Sequence, residues 1–167
     1  MDGGAIFDAT GQYRYTLWRE WDARRSRLCI VMLNPSEADE THNDPTIRRC
    51  IAFGQRLGYG SVEIVNLFAY RTPYPQALKQ ALDPIGSEND QHLLQASHRS
   101  RELVLAWGNW GSLWERDRQV RQLLAGTTCY CFGLNRTGQP RHPLYLPRAT
   151  QLMPYPMSYQ WENGKCH

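Results

Sequence analysis

The chain has 167 residues, 41% of them hydrophobic and 21% charged, with a formal net charge of +3. That is enough for one domain with its own core and too short for two full ones. The mild basicity permits contact with phosphates but lacks the dense Lys/Arg clusters of a DNA-coating protein, and no apolar run reaches the roughly 18 residues a membrane span needs. Residues 1–12 are small and polar and read as a loose entry. Tyr13-Arg14-Tyr15-Thr16-Leu17-Trp18 alternates like a strand, at a sheet edge. Arg19 to Arg27 is charged and reads as a turn. Leu28 to Leu33 is unbroken and apolar, as in a strand buried on both faces, and it stops at Asn34-Pro35 because proline ends strand pairing.

Residues 36–44 form a polar, acidic loop. Asp44-Pro45-Thr46 then has the form of a helix start, with Asp as N-cap and Pro at the first position, and Ile47, Cys50, Ile51 and Leu57 supply a helical stripe up to Gly58. Val62 to Phe68 predicts a second strand, residues 69–86 a long loop and Asn89 to Arg101 a helix. Leu103 to Gly108 predicts a third strand, Trp114 to Ala125 a helix and Thr127 to Leu134 a fourth strand. A polar loop, Thr137 to Pro147, follows, and the tail from Gln151 has little helical pattern. Strands alternating with helices predict a parallel sheet with helices on both faces, whose ligands bind at the carboxyl ends of the strands.

The four predicted strand ends carry suggestive groups. The first is Asn34-Pro35-Ser36, followed by Asp39 and Asp44. The second is Asn66-Leu67-Phe68, followed by Arg71-Thr72-Pro73. The third is Trp107-Gly108-Asn109, and the fourth leads to Gln139-Pro140-Arg141-His142-Pro143. On a parallel sheet all four face one cleft. Each group also has a plainer reading. Asn34-Pro35 fits an ordinary turn, Asn66 a bond to nearby backbone, Asp44 a helix cap, His142 a surface loop and Arg48-Arg49 a solvated helix face.

Other chemistries lack their signatures. There is no G-x-x-x-x-G-K-[ST], G-x-G-x-x-G or G-x-S-x-G. The five His and five Cys show no zinc-type spacing, so neither metal nor cofactor is expected. Cys29 reads as a small core hydrophobe, and the absence of a signal peptide adds the expectation of a reduced, cytosolic protein.

Nearly the whole chain resembles a bacterial and phage family catalogued as domain of unknown function 1643. The shared stretches are Met32-Leu33-Asn34-Pro35-Ser36-x-Ala38-Asp39, Asp44 to Cys50, Asn66-Leu67-Phe68-Ala69, Asp83-Pro84-Ile85-Gly86, Ala106-Trp107-Gly108 and Gly138 to Tyr145. More remotely, the order of motifs is similar to that of the uracil-DNA glycosylase superfamily. Leu33-Asn34-Pro35-Ser36 resembles its first motif, Asn66-Leu67 with Arg71-Thr72-Pro73 its base-reading asparagine and the following R-P-P, and His142-Pro143 its late H-P-S motif. Leu144 stands where that last motif has serine, and Thr46 and Ile47 fall near the place of its base-stacking aromatic.

The resemblance implies a three-layer α/β sandwich around a central, mainly parallel four-stranded sheet, with an extra N-terminal edge strand, in one domain over residues 1–167. It also implies a monomeric DNA glycosylase that hydrolyses the N-glycosidic bond of a flipped pyrimidine, native or modified. Asn34 and His142, with Asp39 or Asp44 as base, are then catalytic. Asn66, Pro35 and Phe68 bind the base, while Ser36, Arg48, Arg71 and Arg141 hold phosphates. The alternatives are a non-catalytic module that binds a nucleobase or nucleic acid, and a hydrolase of free nucleosides or nucleotides.

Overall fold

The computed structural model describes residues 1–157 and, beyond them, the strand residues 161–162 and 165–166. The chain opens with a hairpin rather than a loose entry: β1 (Asp2–Phe7) pairs antiparallel with β2 (Arg14–Glu20). Gly3 and Gly4 hide β1 from pattern reading, because glycine weakens strands. They are needed there all the same. A Cβ at Gly4 would stand 2.5 Å from the Trp18 ring, so bare backbone lets that indole lie across the edge strand.

The register of the hairpin slips once. Ile6 opposes Thr16, yet Phe7 opposes Arg14, so Tyr15 is an extra residue and β2 carries a bulge. Tyr15 and Thr16 consequently meet the same partner, His92: the Tyr15 ring stacks on it at 4.8 Å, and Thr16 Oγ1 lies 3.4 Å from Nδ1. Arg14 is turned to the opposite face, where its guanidinium donates to the Ala38 carbonyl at 2.9 Å.

The chain continues through β3 (Arg27–Met32), α1 (Pro45–Arg56), β4 (Ser61–Asn66), α2 (Asn89–Arg99), β5 (Leu103–Leu105), α3 (Arg116–Leu123), β6 (Cys129–Cys131) and β7 (Met153–Pro154). A two-stranded pair, β8 (Trp161–Glu162) and β9 (Lys165–Cys166), lies beyond. The main sheet has the order β1-β2-β4-β3-β5-β6-β7. Its pairings are parallel for β3–β4, β3–β5 and β5–β6, and antiparallel for β1–β2, β2–β4 and β6–β7.

The expected three-layer sandwich around a mainly parallel four-stranded sheet is therefore corrected. The sheet is mixed and seven-stranded, extended by antiparallel strands on both sides. The cause is local. β1 is masked by its glycines, and β7 is a two-residue segment ending in proline, which an edge strand tolerates and an apolar-run reading passes over.

Strand residues alternate between two cores. Leu28, Ile30 and Met32 of β3, with Val62 and Ile64 of β4, pack under Ile47, Cys50, Ile51 and Phe53 of α1. Cys29, Val31 and Val65 face the other way, toward Leu93 and Ala96 of α2 and Val120 of α3. Glu63 is 1% exposed on that second face and is neutralised by Arg27, at 3.1 Å, and by Arg99. Some expected elements are shorter than their apolar runs. β5 itself spans only Leu103–Leu105, and α3 begins at Arg116 because Trp114 and Glu115 take left-handed φ values of 50° and 57°. No helix among the described residues is long and apolar enough to cross a membrane.

Candidate functional site

The segments that follow β3, β4, β5 and β6 leave from one edge of the sheet, and between them lies a cleft of about 520 Å³. Asn34, Ser36, Asp44, Asn66 and His142 all line it, together with Arg14, Trp107, Trp110 and Tyr145. Four chain segments that are far apart in sequence thus contribute polar groups to one space.

Asn66 is the last residue of β4 and is 1% exposed. Its backbone end is clamped from the far side of the sheet. Asn89 Nδ2 donates to the carbonyls of Asn66 and Leu67 at 2.9 and 3.0 Å, and Arg116 Nε donates to Leu67 at 2.8 Å. The Asn66 side chain has no such satisfaction. Both Nδ2 and Oδ1 are buried without a hydrogen-bond partner among the described residues. An unmet buried donor or acceptor costs about 1–3 kcal/mol, and folded proteins rarely keep one without a reason.

Asn34 is fixed in the opposite sense. Its Nδ2 donates to the Thr72 carbonyl at 2.8 Å and the Pro35 carbonyl at 3.0 Å, with Tyr70 O at 3.5 Å. Three carbonyls around one end of the amide dictate that this end is the NH2 group. The end left for a ligand is therefore Oδ1, an acceptor. The plainer turn reading of Asn34-Pro35 is also met, because these bonds tie the 34–36 turn to the segment after β4.

His142 sits in the loop after β6, which is pinned to its surroundings. Gly108 N donates to Pro140 O at 2.9 Å, Arg141 N donates to Gly133 O at 3.0 Å, and Trp107 Nε1 donates to Gln139 Oε1 at 2.7 Å. Gly108 takes φ 75°, a conformation that favours glycine, and thereby turns the chain after β5. Leu144 N donates to His142 Nδ1 at 3.2 Å, so the proton of the neutral ring lies on Nε2. Burial lowers the pKa of His142 from 6.5, although Asp44 acts the other way. The ring is thus a neutral Nε2–H donor at neutral pH.

Asp44 caps α1. One carboxylate oxygen accepts from Ile47 N at 2.9 Å and the other from Ala38 N at 3.3 Å. The cap reading is correct, and the same carboxylate lines the cleft with lone pairs to spare. Arg14 is 2% exposed, and its Nε is buried without a partner among the described residues. Desolvation pulls its guanidinium down to about 10, with Asp44 opposing, so it remains a cation in the cleft wall at neutral pH.

Other expected site residues lie elsewhere. Asp39 Oδ1 accepts from Thr41 N at 2.9 Å and His42 N at 2.7 Å; it orders the loop before α1, bonds that hold its carboxyl below the usual range, and it does not line the cleft. Pro35 and Phe68 are buried outside the cleft lining, and Phe68 packs edge-on against Trp114. Arg71 bonds to the Ser36 and Gly11 carbonyls and lies over the Phe7 ring, while Arg141 bonds to Leu134 O. Arg48 is exposed on a neighbouring groove. Of the four phosphate candidates, Ser36 alone is among the residues that line the cleft.

Sequence reading missed Arg14, because strict alternation puts it on the face of Thr16 and only the bulge reverses it. It named Trp107 at the third strand end but missed Trp110, since it sought a base-stacking aromatic after the first strand and both follow β5. The clamps Asn89 and Arg116 left no signal beyond ordinary helix composition.

The family model described as "Protein of unknown function (DUF1643)" matches residues 14–144, a span that contains Arg14, Asn34, Asp44, Asn66 and His142. No curated protein and no solved structure matches the chain.

Proposed function

For this chain, which belongs to the DUF1643 family, we propose that the cleft takes up a single nucleobase, a flipped pyrimidine of DNA, and hydrolyses its N-glycosidic bond. The observation that carries the reading is Asn66, a buried amide with both its donor and its acceptor unmet in the wall of a cleft. A pyrimidine edge offers the complement, an acceptor beside a donor, and buries both unmet groups at once. Trp107 and Trp110 add aromatic atoms to the cleft lining.

The remaining groups fit the charges that develop as the bond breaks. The sugar becomes oxocarbenium-like while the base leaves with the bonding electron pair. The His142 Nε2–H donates to the anionic base, help of the oxyanion-hole kind worth about 3–4 kcal/mol. A neutral donor suits this task, since it stabilises charge without first giving up a proton to solvent. Asn34 Oδ1 accepts a hydrogen bond from the water that attacks the sugar carbon, and Asp44 takes that water's proton. Arg14 adds positive potential to the cleft wall, where its charge is coupled to that of Asp44.

The test is base release from single-stranded DNA carrying uracil, hydroxymethyluracil or other modified pyrimidines. Release is expected from the native protein and absent from the double variant Asn34→Ala/His142→Ala. Release that persists in the double variant refutes the assignment. One observation favours a second reading, a non-catalytic base-binding module: both oxygens of Asp44 already accept backbone N–H groups. That reading predicts salt-sensitive DNA binding with no abasic product.

A further inference from the structure

Beside the cleft runs a second groove, of about 590 Å³, lined by Arg48, Arg49 and Arg56 of α1 and by Arg148 of the loop that follows His142. Its floor is the Phe53 ring, with the guanidinium groups of Arg49 and Arg56 at 5.2 and 5.5 Å from the ring centre. No acidic side chain is among the described residues that line it.

The charges in this groove differ from those of the ion-paired arginines. Arg24, Arg25, Arg27, Arg99, Arg116 and Arg118 each have a carboxylate partner, whereas none of the four groove arginines forms an ion pair among the described residues. The hydrogen bonds of Arg48, Arg49 and Arg56 go to the carbonyls of Asn43, Pro143 and Thr150, which hold the side chains without neutralising them. Four cations without an ion pair among the described residues thus share one face of a chain whose net charge is +3.

The groove and the cleft are neighbours, since Pro45 and Leu144 line both. In the lining of the cleft, next to Leu144, Tyr145 is 92% exposed, an aromatic face turned to solvent. Arg48 and Arg56 stand eight residues apart on one helix, about 12 Å along its axis. A mononucleotide brings one phosphate position, which cannot engage charges spread so far.

We infer that this groove is the track of a single DNA strand, whose phosphates run along Arg48, Arg49, Arg56 and Arg148 while one of its bases enters the adjoining cleft. The inference rests on the base-binding reading of the cleft and adds the path of the strand and the residues that hold it. Tyr145 stacks a base next to the one that is taken in, as aromatic side chains do beside basic grooves for single strands.

The test is a salt titration of binding, by fluorescence anisotropy of a labelled oligodeoxythymidylate. Each phosphate contact on a single strand contributes about 0.7 to the slope of log affinity against log salt, so the triple variant Arg49→Gln/Arg56→Gln/Arg148→Gln is expected to lose roughly 2 from that slope. The same three positions changed to Lys restore it. Arg24→Gln/Arg118→Gln, at arginines already paired to acids, leaves it unaltered. An unchanged slope in the Gln variant, or an equal loss in the control, overturns the track. Tighter binding of oligouridylate than of oligodeoxythymidylate overturns DNA as the strand. Base release with an unaltered slope sinks the track and spares the hydrolytic reading. A lost slope with no base ever released does the reverse.

Discussion

Replacing Asn66 by leucine separates what the protein needs for folding from what it needs for its ligand. Leucine has the same branched side chain of four heavy atoms, without donor or acceptor. In the native protein the Asn66 amide is buried with both ends unmet, a burden of about 1–3 kcal/mol for each such group. Leucine removes that burden and gains apolar burial beside Met32 and Ile64, which line the same cleft. Taking about 2 kcal/mol as the net gain, and roughly 2–4 °C per kcal/mol for a chain of this size, Asn66→Leu is expected to raise Tm by about 4–8 °C. The same substitution deletes two hydrogen bonds to the base, which at about 1–1.5 kcal/mol each weakens base uptake up to about 100-fold. Calorimetry and base-release kinetics on the same preparation read both effects. A Tm that is unchanged or lowered refutes the reasoning, because it means that the amide is already satisfied in the free protein.

Three further outcomes follow from the geometry. The pKa of His142 is lowered by burial, so between its folded value and 6.5 the unfolded chain binds the extra proton, and the stability that His142 contributes falls as pH drops through that window. The acid limb of base release is accordingly expected below pH 6.5, and a limb above that value, measured as kcat/KM against pH, contradicts the neutral-donor role. Asn34→Asp turns a carboxylate toward the carbonyls of Pro35, Tyr70 and Thr72; a loss of about 1–3 kcal/mol in urea unfolding is expected, opposite in sign to the effect at Asn66. Glu63→Gln leaves Arg27 and Arg99 facing a neutral group within the sheet. Both arginines are partly exposed, so the expected cost in denaturant unfolding is a modest 1–3 kcal/mol or so, and an unchanged midpoint shows that the ion pairs contribute nothing.

The sequence discloses this protein unevenly, for physical reasons. Buried parallel strands such as Leu28 to Met32 are legible because both faces must be apolar, and the Asp44-Pro45 start of α1 is legible because the cap chemistry is local. Asn34 is visible as a polar residue where an apolar run ends, Asn66 as one near the end of such a run, and His142 in the polar loop that follows the fourth strand. What is lost is whatever depends on contacts far along the chain. β1 looks like a loop until Trp18 is seen lying across Gly4, and the arginines of Arg71 and Arg141 look free until carbonyls of distant segments are found in contact with them. The mixed character of the sheet is lost for the same reason, since strand direction at its two flanks follows from chain returns that no local pattern encodes.

The bulge at Tyr15 has a consequence for how such a protein changes over time. Side chains along a strand alternate, so one extra residue reverses the face of everything that precedes it. The presence of the Arg14 cation in the cleft therefore follows its pairing with Phe7 rather than its distance along the chain from Thr16. Loss of the single codon for Tyr15 takes out the extra residue and leaves Arg14 opposite Phe7 and next to Thr16, where plain alternation keeps the guanidinium on the cleft side. The charge of the cleft wall in this lineage thus survives a one-residue deletion that removes the ring stacked on His92, an outcome that comparing aligned substitutions alone passes over.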